Sequence, residues 1–421
     1  MAGRPAVHPA FPEETRHIMT SIAEHRLSCL ALAVAVPLTL ALSLAAPALA
    51  ETTTQILEDS SEPEFTVTRI AGPLDHPWSM AFLPDGRLLV TERWGELQVV
   101  TPGAFELETI TGLPPRPTED HAGLMDVILD PDYVNNRTIY LSYVHGTREA
   151  STVRVMKARL NLDKQVLEDR VILFDSAPAT FGLEEFGGRM VIDKDGYLFL
   201  TLGDRYDRRH AQNLSEDYGH IIRIRTDGSI PEDNPFVGRP GARPGIWSYG
   251  HRNPQGLAID PETGTLWAHE HGPMGGDELN IIKAGANYGW PVITYGREYD
   301  DTPINNGQTE EDGMEQPVHY WVPSIAPSGM TVYEGHVSEW KDTIWLGALV
   351  GQMLVKLKMD HGKVVGEDHY LKDKVGRIRD VRTGPDGFIY FCTDSEEGGI
   401  YRVEPVAETA SSTRAPHEEV R

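Results

Sequence analysis

Three stretches carry residues whose types and spacing suit them to grip a small anion beside a cation. Ser248–Ile259 reads SYGHRNPQGLAI, setting Arg252, Asn253 and Gln255 between apolar runs on a backbone stiffened by Pro254 and tightened by Gly256. A guanidinium is a planar, permanently charged fork that matches a carboxylate, and the two amides add neutral donors. The stretch VGRIRDVRTGPDG brings Arg377, Arg379 and Arg382 close together in sequence. If Arg377 and Arg379 lie in one strand they face the same side. Two neighbouring cations then either pair with acidic side chains or meet an anionic ligand. The third stretch, HEHGPMGGDELNIIKAGANYGWP, is a stiff, then flexible, oxygen-rich loop. The carbonyls of Gly272 and Pro273 with the carboxylates of Asp277 and Glu278 are the hard oxygen donors that calcium prefers, although the spacing is not that of an EF-hand. His269 and His271 stand one residue apart, as a zinc pair does, but no third ligand accompanies them and they read as ordinary histidines.

The elements that position these stretches are short strands. The segments MAFLPDGRLLVTERWGELQVV, LMDVILDPDYVNNRTIYLSYV, RMVIDKDGYLFLTLGD, GLAIDPETGTLWAHE and VRTGPDGFIYFCTD share one design. Each is an apolar strand, a turn rich in Pro, Asp and Gly, and a second strand of Ile, Leu, Tyr and Phe, which is the signature of a hairpin. MTVYEGHVSEWKDTIWLGAL is a looser sixth copy. No helical period sustains itself between them. Repeated hairpins joined by long loops predict an all-β chain, a six-bladed β-propeller over 64–405, with the first strand after the N-terminal segment and GIYRVEP completing the same blade. A large β-sandwich is the competing architecture.

Composition narrows the partners. The chain has 421 residues and a formal charge of −25. That balance disfavours nucleic acid and anionic membrane surfaces, which need clustered Lys and Arg. RLSCLALAVAVPLTLALSLAAPALA carries Arg26, a long apolar run and Ala48-Leu49-Ala50 ahead of Glu51. This predicts a signal peptide over 1–50, with Met19 as an alternative start, and hence a periplasmic or secreted protein with no membrane span after cleavage. Residues 51–63 read as a flexible segment and 406–421 as a disordered tail. Cleavage leaves Cys392 as the only cysteine, so no intrachain disulfide can form.

The motifs FGGRM, GSIPEDNPF, IWSYGHRNPQGLA, EHGPMGGDELN, NYGWP and RIRDVRTGPDG, in that order along the chain, resemble the soluble PQQ-dependent aldose sugar dehydrogenases, the glucose/sorbosone dehydrogenase family. The resemblance runs from PWSMAFLPDG to GIYRV, essentially the whole mature domain. It implies a six-bladed propeller that binds pyrroloquinoline quinone, a flat ortho-quinone with three carboxylates, and calcium. The resemblance also implies oxidation of an aldose at C1, with the electrons passed to an external acceptor. Arg252, Asn253 and Gln255, with Arg377 and Arg379, fall at the cofactor-contacting positions. Gly272 and Pro273 fall at the calcium-binding carbonyls, and Glu278 and Tyr288 at a structural calcium site. Three positions depart from the family pattern. Glu185 stands where the family has its histidine base, so Glu185 with Arg252 beside it is the expected catalytic pair. Val350 replaces a lysine, and His121 replaces a cofactor-side glutamine. Two readings follow: a sugar dehydrogenase with a carboxylate base, or a catalytically altered propeller that binds a sugar or small anion without oxidising it.

Overall fold

The computed structural model describes residues 65–406. The expected signal peptide, the segment after it and nearly all of the C-terminal tail lie outside the described residues. Among those described, no helix is long and apolar enough to cross a membrane, and Cys392 is buried as a free thiol.

Twenty-four strands form six separate four-stranded antiparallel sheets. The first holds β2 (Pro77–Phe82), β3 (Leu88–Glu92), β4 (Leu97–Val100) and β5 (Leu107–Ile110). The second holds β6 (Leu124–Leu129), β7 (Thr138–Thr147), β8 (Ala150–Asn161) and β9 (Val166–Asp175). The third holds β10 (Gly187–Ile192), β11 (Tyr197–Leu202), β12 (His220–Arg225) and β13 (Ile246–Tyr249). The fourth holds β14 (Pro254–Ile259), β15 (Leu266–Glu270), β16 (Asp277–Ile281) and β17 (His319–Trp321). The fifth holds β18 (Pro327–Val332), β19 (Thr343–Ala348), β20 (Met353–Asp360) and β21 (Lys363–Tyr370). The sixth holds β22 (Ile378–Thr383), β23 (Ile389–Thr393), β24 (Gly398–Pro405) and, from the other end of the chain, β1 (Phe65–Leu74).

The six hairpins read from the sequence are the two innermost strands of each blade. Their first strands, β2, β6, β10, β14, β18 and β22, pack in a closed ring. β1 pairs with β24 from Phe65↔Pro405 to Leu74↔Gly398, so the last blade is built from both ends of the described chain. Closing the ring shelters the innermost edge of every blade around the channel and leaves the outermost strand of each as its exposed edge. Apolar residues fill the spaces between blades, as where Phe65, Trp345 and Tyr370 meet.

All six inner strands slip register near the same end: at Pro77/Ser79, Leu124/Val127, Gly187/Met190, Pro254/Gly256, Pro327/Met330 and Ile378/Asp380. A bulge re-aims side chains that a regular strand would send to the blade faces. Here it turns polar residues into the central channel. Arg189 is fully buried there. Its Nη1 lies 2.9 Å from Asp380 Oδ1 and its Nε donates to Gln255 O at 2.9 Å, while its Nη2 donates to Arg379 O at 3.0 Å. Arg382 joins the same hub, 3.0 Å from Asp380 and 3.2 Å from Asp126. Two cations against two carboxylates leave this plug neutral, and it divides the channel into two mouths.

Candidate functional site

Above the plug, at the bulged end, is a cavity of about 230 Å³ lined by His121, Glu185, Asn253, Gln255, Arg377 and Arg379, together with Trp78 and Arg93. Arg377 precedes β22 rather than lying in it, which differs from the expectation of two arginines on one strand face. They still converge, because Asp394 at the end of β23 accepts from Arg379 Nη2 at 2.6 Å and lies 3.5 Å from Arg377 Nη2. Arg93 adds a third guanidinium 3.5 Å from the same carboxylate. Burial works against the Asp394 charge, but Arg379 and Arg93 overcome it and hold this carboxyl far below the usual range. Arg93 is pulled down to about 10 by burial, with Asp394 resisting and Arg379 and Arg377 assisting. Three cations thus share one anion. The Nε atoms of Arg93 and Arg379 are buried with no hydrogen-bond partner, a costly arrangement unless an acceptor arrives. Arg382 is not part of this cluster; it serves the plug below.

The opposite wall is built from the stretch after β13. The Arg252 guanidinium is buried, with Nη2 2.7 Å from Glu185 Oε1 and Nη1 donating to Gly272 O at 2.8 Å and His271 O at 3.1 Å. Glu185 sits in the left-handed region at φ 47 with its backbone N–H donating to His121 Nδ1 at 3.2 Å. Its carboxyl is pushed well above the usual range, by burial first, against Arg252, and then by Asp204, with which it hydrogen-bonds. Glu185 thus stands between the Arg252 guanidinium, which favours its charged form, and Asp204, which opposes it. Asp204 Oδ2 in turn accepts from Trp290 Nε1 at 2.7 Å. The His121 pKa is lowered, by desolvation first and then by Arg379 and Arg93. Asn253 Oδ1 accepts from Gln255 Nε2 at 3.0 Å, which fixes both amides at the cavity floor.

The oxygen-rich loop resolves into two parts. Asp277 turns away from any metal role. Its Oδ1 accepts from Gly272 N at 2.9 Å, and its Oδ2 accepts from Ser324 Oγ and the N–H groups of Ile325 and Ala326 at 2.7, 2.8 and 2.9 Å. Four donors consume its lone pairs, and the residue clasps the Gly272 turn to the next blade. A Cβ on Gly272 would stand 2.2 Å from Gly275 O, so the turn requires glycine. Glu278 pairs across β15–β16 with Glu270 and lines a small cleft with Tyr288. Burial, then the Glu270 charge, pushes the Glu278 carboxyl well up. The Tyr288 hydroxyl donates to Ile281 O at 2.6 Å and accepts from Lys283 N at 2.8 Å, so it is committed elsewhere and only the ring borders the cleft. Among the described residues, no three His, Cys, Asp or Glu side chains gather as a metal cage. His269 is buried within β15, and His271 bonds Pro327 O at 2.6 Å. Val350 is exposed beside the cavity-lining Leu349.

Sequence reasoning missed Arg93, Asp394, Asp204 and Trp290. One signal was present: Glu92 and Glu270 end β3 and β15, and Asp394 and Asp204 follow β23 and β11 by one and two residues. Each of these acids takes hydrogen bonds or ion pairs at the bulged end.

The family model described as Glucose / Sorbosone dehydrogenase matches residues 74–402. The chain is 42% identical over 336 residues to the aldose sugar dehydrogenase YliI of Escherichia coli (strain K12), covering 79% of this chain and 91% of that one. It is 26% identical over 462 residues to quinoprotein glucose dehydrogenase B of Acinetobacter calcoaceticus, covering 90% and 95%. The crystal structure of the soluble aldose sugar dehydrogenase from Escherichia coli in the apo-form superposes with a TM-score of 0.78 at 40% identity, covering 81% of this chain and 100% of that chain. The PQQ-bound form of aldose sugar dehydrogenase from Streptomyces coelicolor gives 0.68 at 25% identity, covering 81% and 99%.

Proposed function

Because the chain belongs to the glucose/sorbosone dehydrogenase family, we propose that it is an exported quinoprotein that oxidises aldose sugars, or related alcohols, at C1 and hands the electrons to an external acceptor. The observation that carries the reading is the excess of guanidinium over carboxylate around Asp394, with two buried Nε donors lacking acceptors. A flat molecule bearing several carboxylates supplies what those donors lack, so the residues present fit pyrroloquinoline quinone. Arg93, Arg377 and Arg379 would hold its carboxylates, while Asn253 and Gln255 orient it. When bound, the quinone supplies the hydride acceptor and calcium draws electron density from it. The Gly272 and Pro273 carbonyls would hold that calcium. Gly272 O already accepts from Arg252, so only its remaining lone pair serves the ion. Arg93 supplies positive charge that the valine at position 350 does not.

Glu185 is the base in this reading. Burial and Asp204 raise the proton affinity of this carboxyl, so once ionised it takes a proton from an anomeric hydroxyl more readily than an ordinary carboxylate does. Arg252 keeps that carboxyl from repelling the cofactor and points it at the cavity. Export rests on the N-terminal apolar run and its small-residue ending. The test adds the quinone and calcium to the purified full chain and follows dye reduction with a panel of aldoses. Saturable quinone binding with aldose-dependent dye reduction is the expected result. If the quinone binds but only E185H reduces the dye, the natural chain is a binder, and the dehydrogenase reading is wrong.

A further inference from the structure

Two large aromatic side chains stand exposed within electrostatic reach of Arg252, and nothing in the anion site uses them. Tyr206 is 62% exposed and Tyr299 is 64% exposed. They come from different blades, on the loop after β11 and the long loop between β16 and β17. The two loops are tied together by Arg208, whose Nη1 and Nη2 lie 2.7 and 3.0 Å from the two Glu298 oxygens. This two-pronged pair, two residues from Tyr206 and one from Tyr299, holds the two loops together. The Tyr206 hydroxyl is raised to about 12, by burial of its oxygen first, and then by Tyr299 and Glu185. Arg252 also interacts electrostatically with both hydroxyls.

The backbone under Tyr206 is equally unusual. Arg205 and Tyr206 are consecutive non-glycine residues in the left-handed region, at φ 61 and 63. Such strain persists only where surrounding contacts impose it, and it clusters at binding sites. Here Arg205 Nη2 donates to Ser151 Oγ and Gly182 O, both at 2.7 Å, and its guanidinium lies 3.6 Å over the Phe186 ring. Asp204 Oδ1 accepts from Tyr206 N at 3.0 Å. A glycine would hold this turn without strain, yet a tyrosine is presented to solvent.

We propose that Tyr206 and Tyr299 form the outer wall of the sugar site, packing their rings against the C–H face of an aldose pyranose and bonding its hydroxyls so that the anomeric hydroxyl meets Glu185. This deepens the dehydrogenase reading and rests on it for the identity of the substrate. Both tyrosines are substrate-binding residues, and Arg208 with Glu298 positions them.

Y206G is the decisive variant because glycine suits the backbone there, so the fold is kept or strengthened. Saturation-transfer NMR on the full chain, with D-glucose, D-xylose and maltose as probes, reads contact without turnover. The expected result is transfer to sugar C–H protons in the unaltered chain, loss of it in Y206G and Y299A, and partial retention in Y299F. In the quinone-loaded protein, KM for the aldose should rise about tenfold in Y206G, with quinone affinity unchanged and thermal stability equal or higher. No transfer to any probe in the unaltered chain, or unchanged transfer and KM in Y206G and Y299A, overturns the proposal while leaving the oxidation reading intact wherever dye is reduced. Tyrosine-dependent transfer without dye reduction supports the clamp and sinks the oxidation reading instead.

Discussion

Replacing Glu185 by glutamine separates two pictures of the site. If Glu185 rests as an ionised partner of Arg252 at 2.7 Å, their attraction is about 6 kcal/mol at an effective dielectric of about 20. Desolvation offsets much of that, but stranding a buried guanidinium still costs about 3–5 kcal/mol. If Glu185 rests as a neutral acid between Arg252 and Asp204, glutamine copies it: the amide oxygen accepts from Arg252 and the amide N–H donates to Asp204. The cost is then under about 1 kcal/mol. The raised carboxyl supports the second picture. The sign follows from linkage. A carboxyl whose folded pKa lies above its unfolded value contributes stability below the unfolded value of about 4.3 and loses it as pH rises through the folded value. E185Q cannot ionise, so it escapes that loss and gains on the unaltered chain toward alkaline pH. Guanidinium unfolding of both proteins at pH 5 and pH 8 measures this directly. Turnover should fall by about 100- to 10,000-fold, the worth of a general base. A loss of 3 kcal/mol or more at pH 5 refutes the neutral resting form, and turnover within about tenfold of the unaltered chain refutes the role as base.

The remaining predictions concern charge and shape. Turnover of the quinone-loaded protein should climb from acid toward neutral pH as Glu185 ionises, and a flat profile there would remove Glu185 from the chemistry. R189A strips the plug of its fully buried cation and leaves Asp380 and Asp126 with Arg382 alone; a loss of about 3–5 kcal/mol in denaturant unfolding is expected, and a loss below about 1 would show the plug to be dispensable. D394N removes the carboxylate shared by three arginines, so stability should fall above the normal carboxyl range while the thermal shift on adding quinone grows; a smaller shift would contradict the charge count. G123A puts a Cβ 1.8 Å from Arg93 O at φ 134 and should both destabilise the chain and weaken quinone binding. G86A, at φ 87 with nothing within 4 Å, should cost only the backbone strain of a left-handed alanine, about 1–2 kcal/mol, and leave quinone binding unchanged, as thermal melts and quinone titrations would report.

The architecture was legible because each blade announces itself twice, in the apolar alternation of its inner strands and in the Pro-Asp-Gly turn between them. The anion site was half legible. Arg252, Asn253 and Gln255 are compact in sequence, and Arg377 and Arg379 flank a strand start, so composition alone exposed them. Their partners were hidden because folding sets side chains far apart in sequence against one another: ring closure brings Arg93 of the first blade to Asp394 of the sixth, and the third blade's hairpin and the start of the fourth bring Glu185 to Asp204 and Arg252. The bulges that aim these groups have no local signature beyond a scattered glycine or proline. The oxygen-rich loop was misleading in part. Asp277 has the right chemistry for a metal, but its four donors come from the turn and the fifth blade, which no spacing argument reveals.

Three guanidiniums share one carboxylate, and the ligand proposed for them is a multiply charged planar anion. Titrating the quinone into the cofactor-free full chain with calcium, at low and high salt, tests it most directly. The account predicts saturable one-to-one binding at micromolar concentration or tighter, weakened by salt, and weakened at least about tenfold in R379A. Absence of saturable binding, or an R379A titration that overlays the unaltered one, contradicts it.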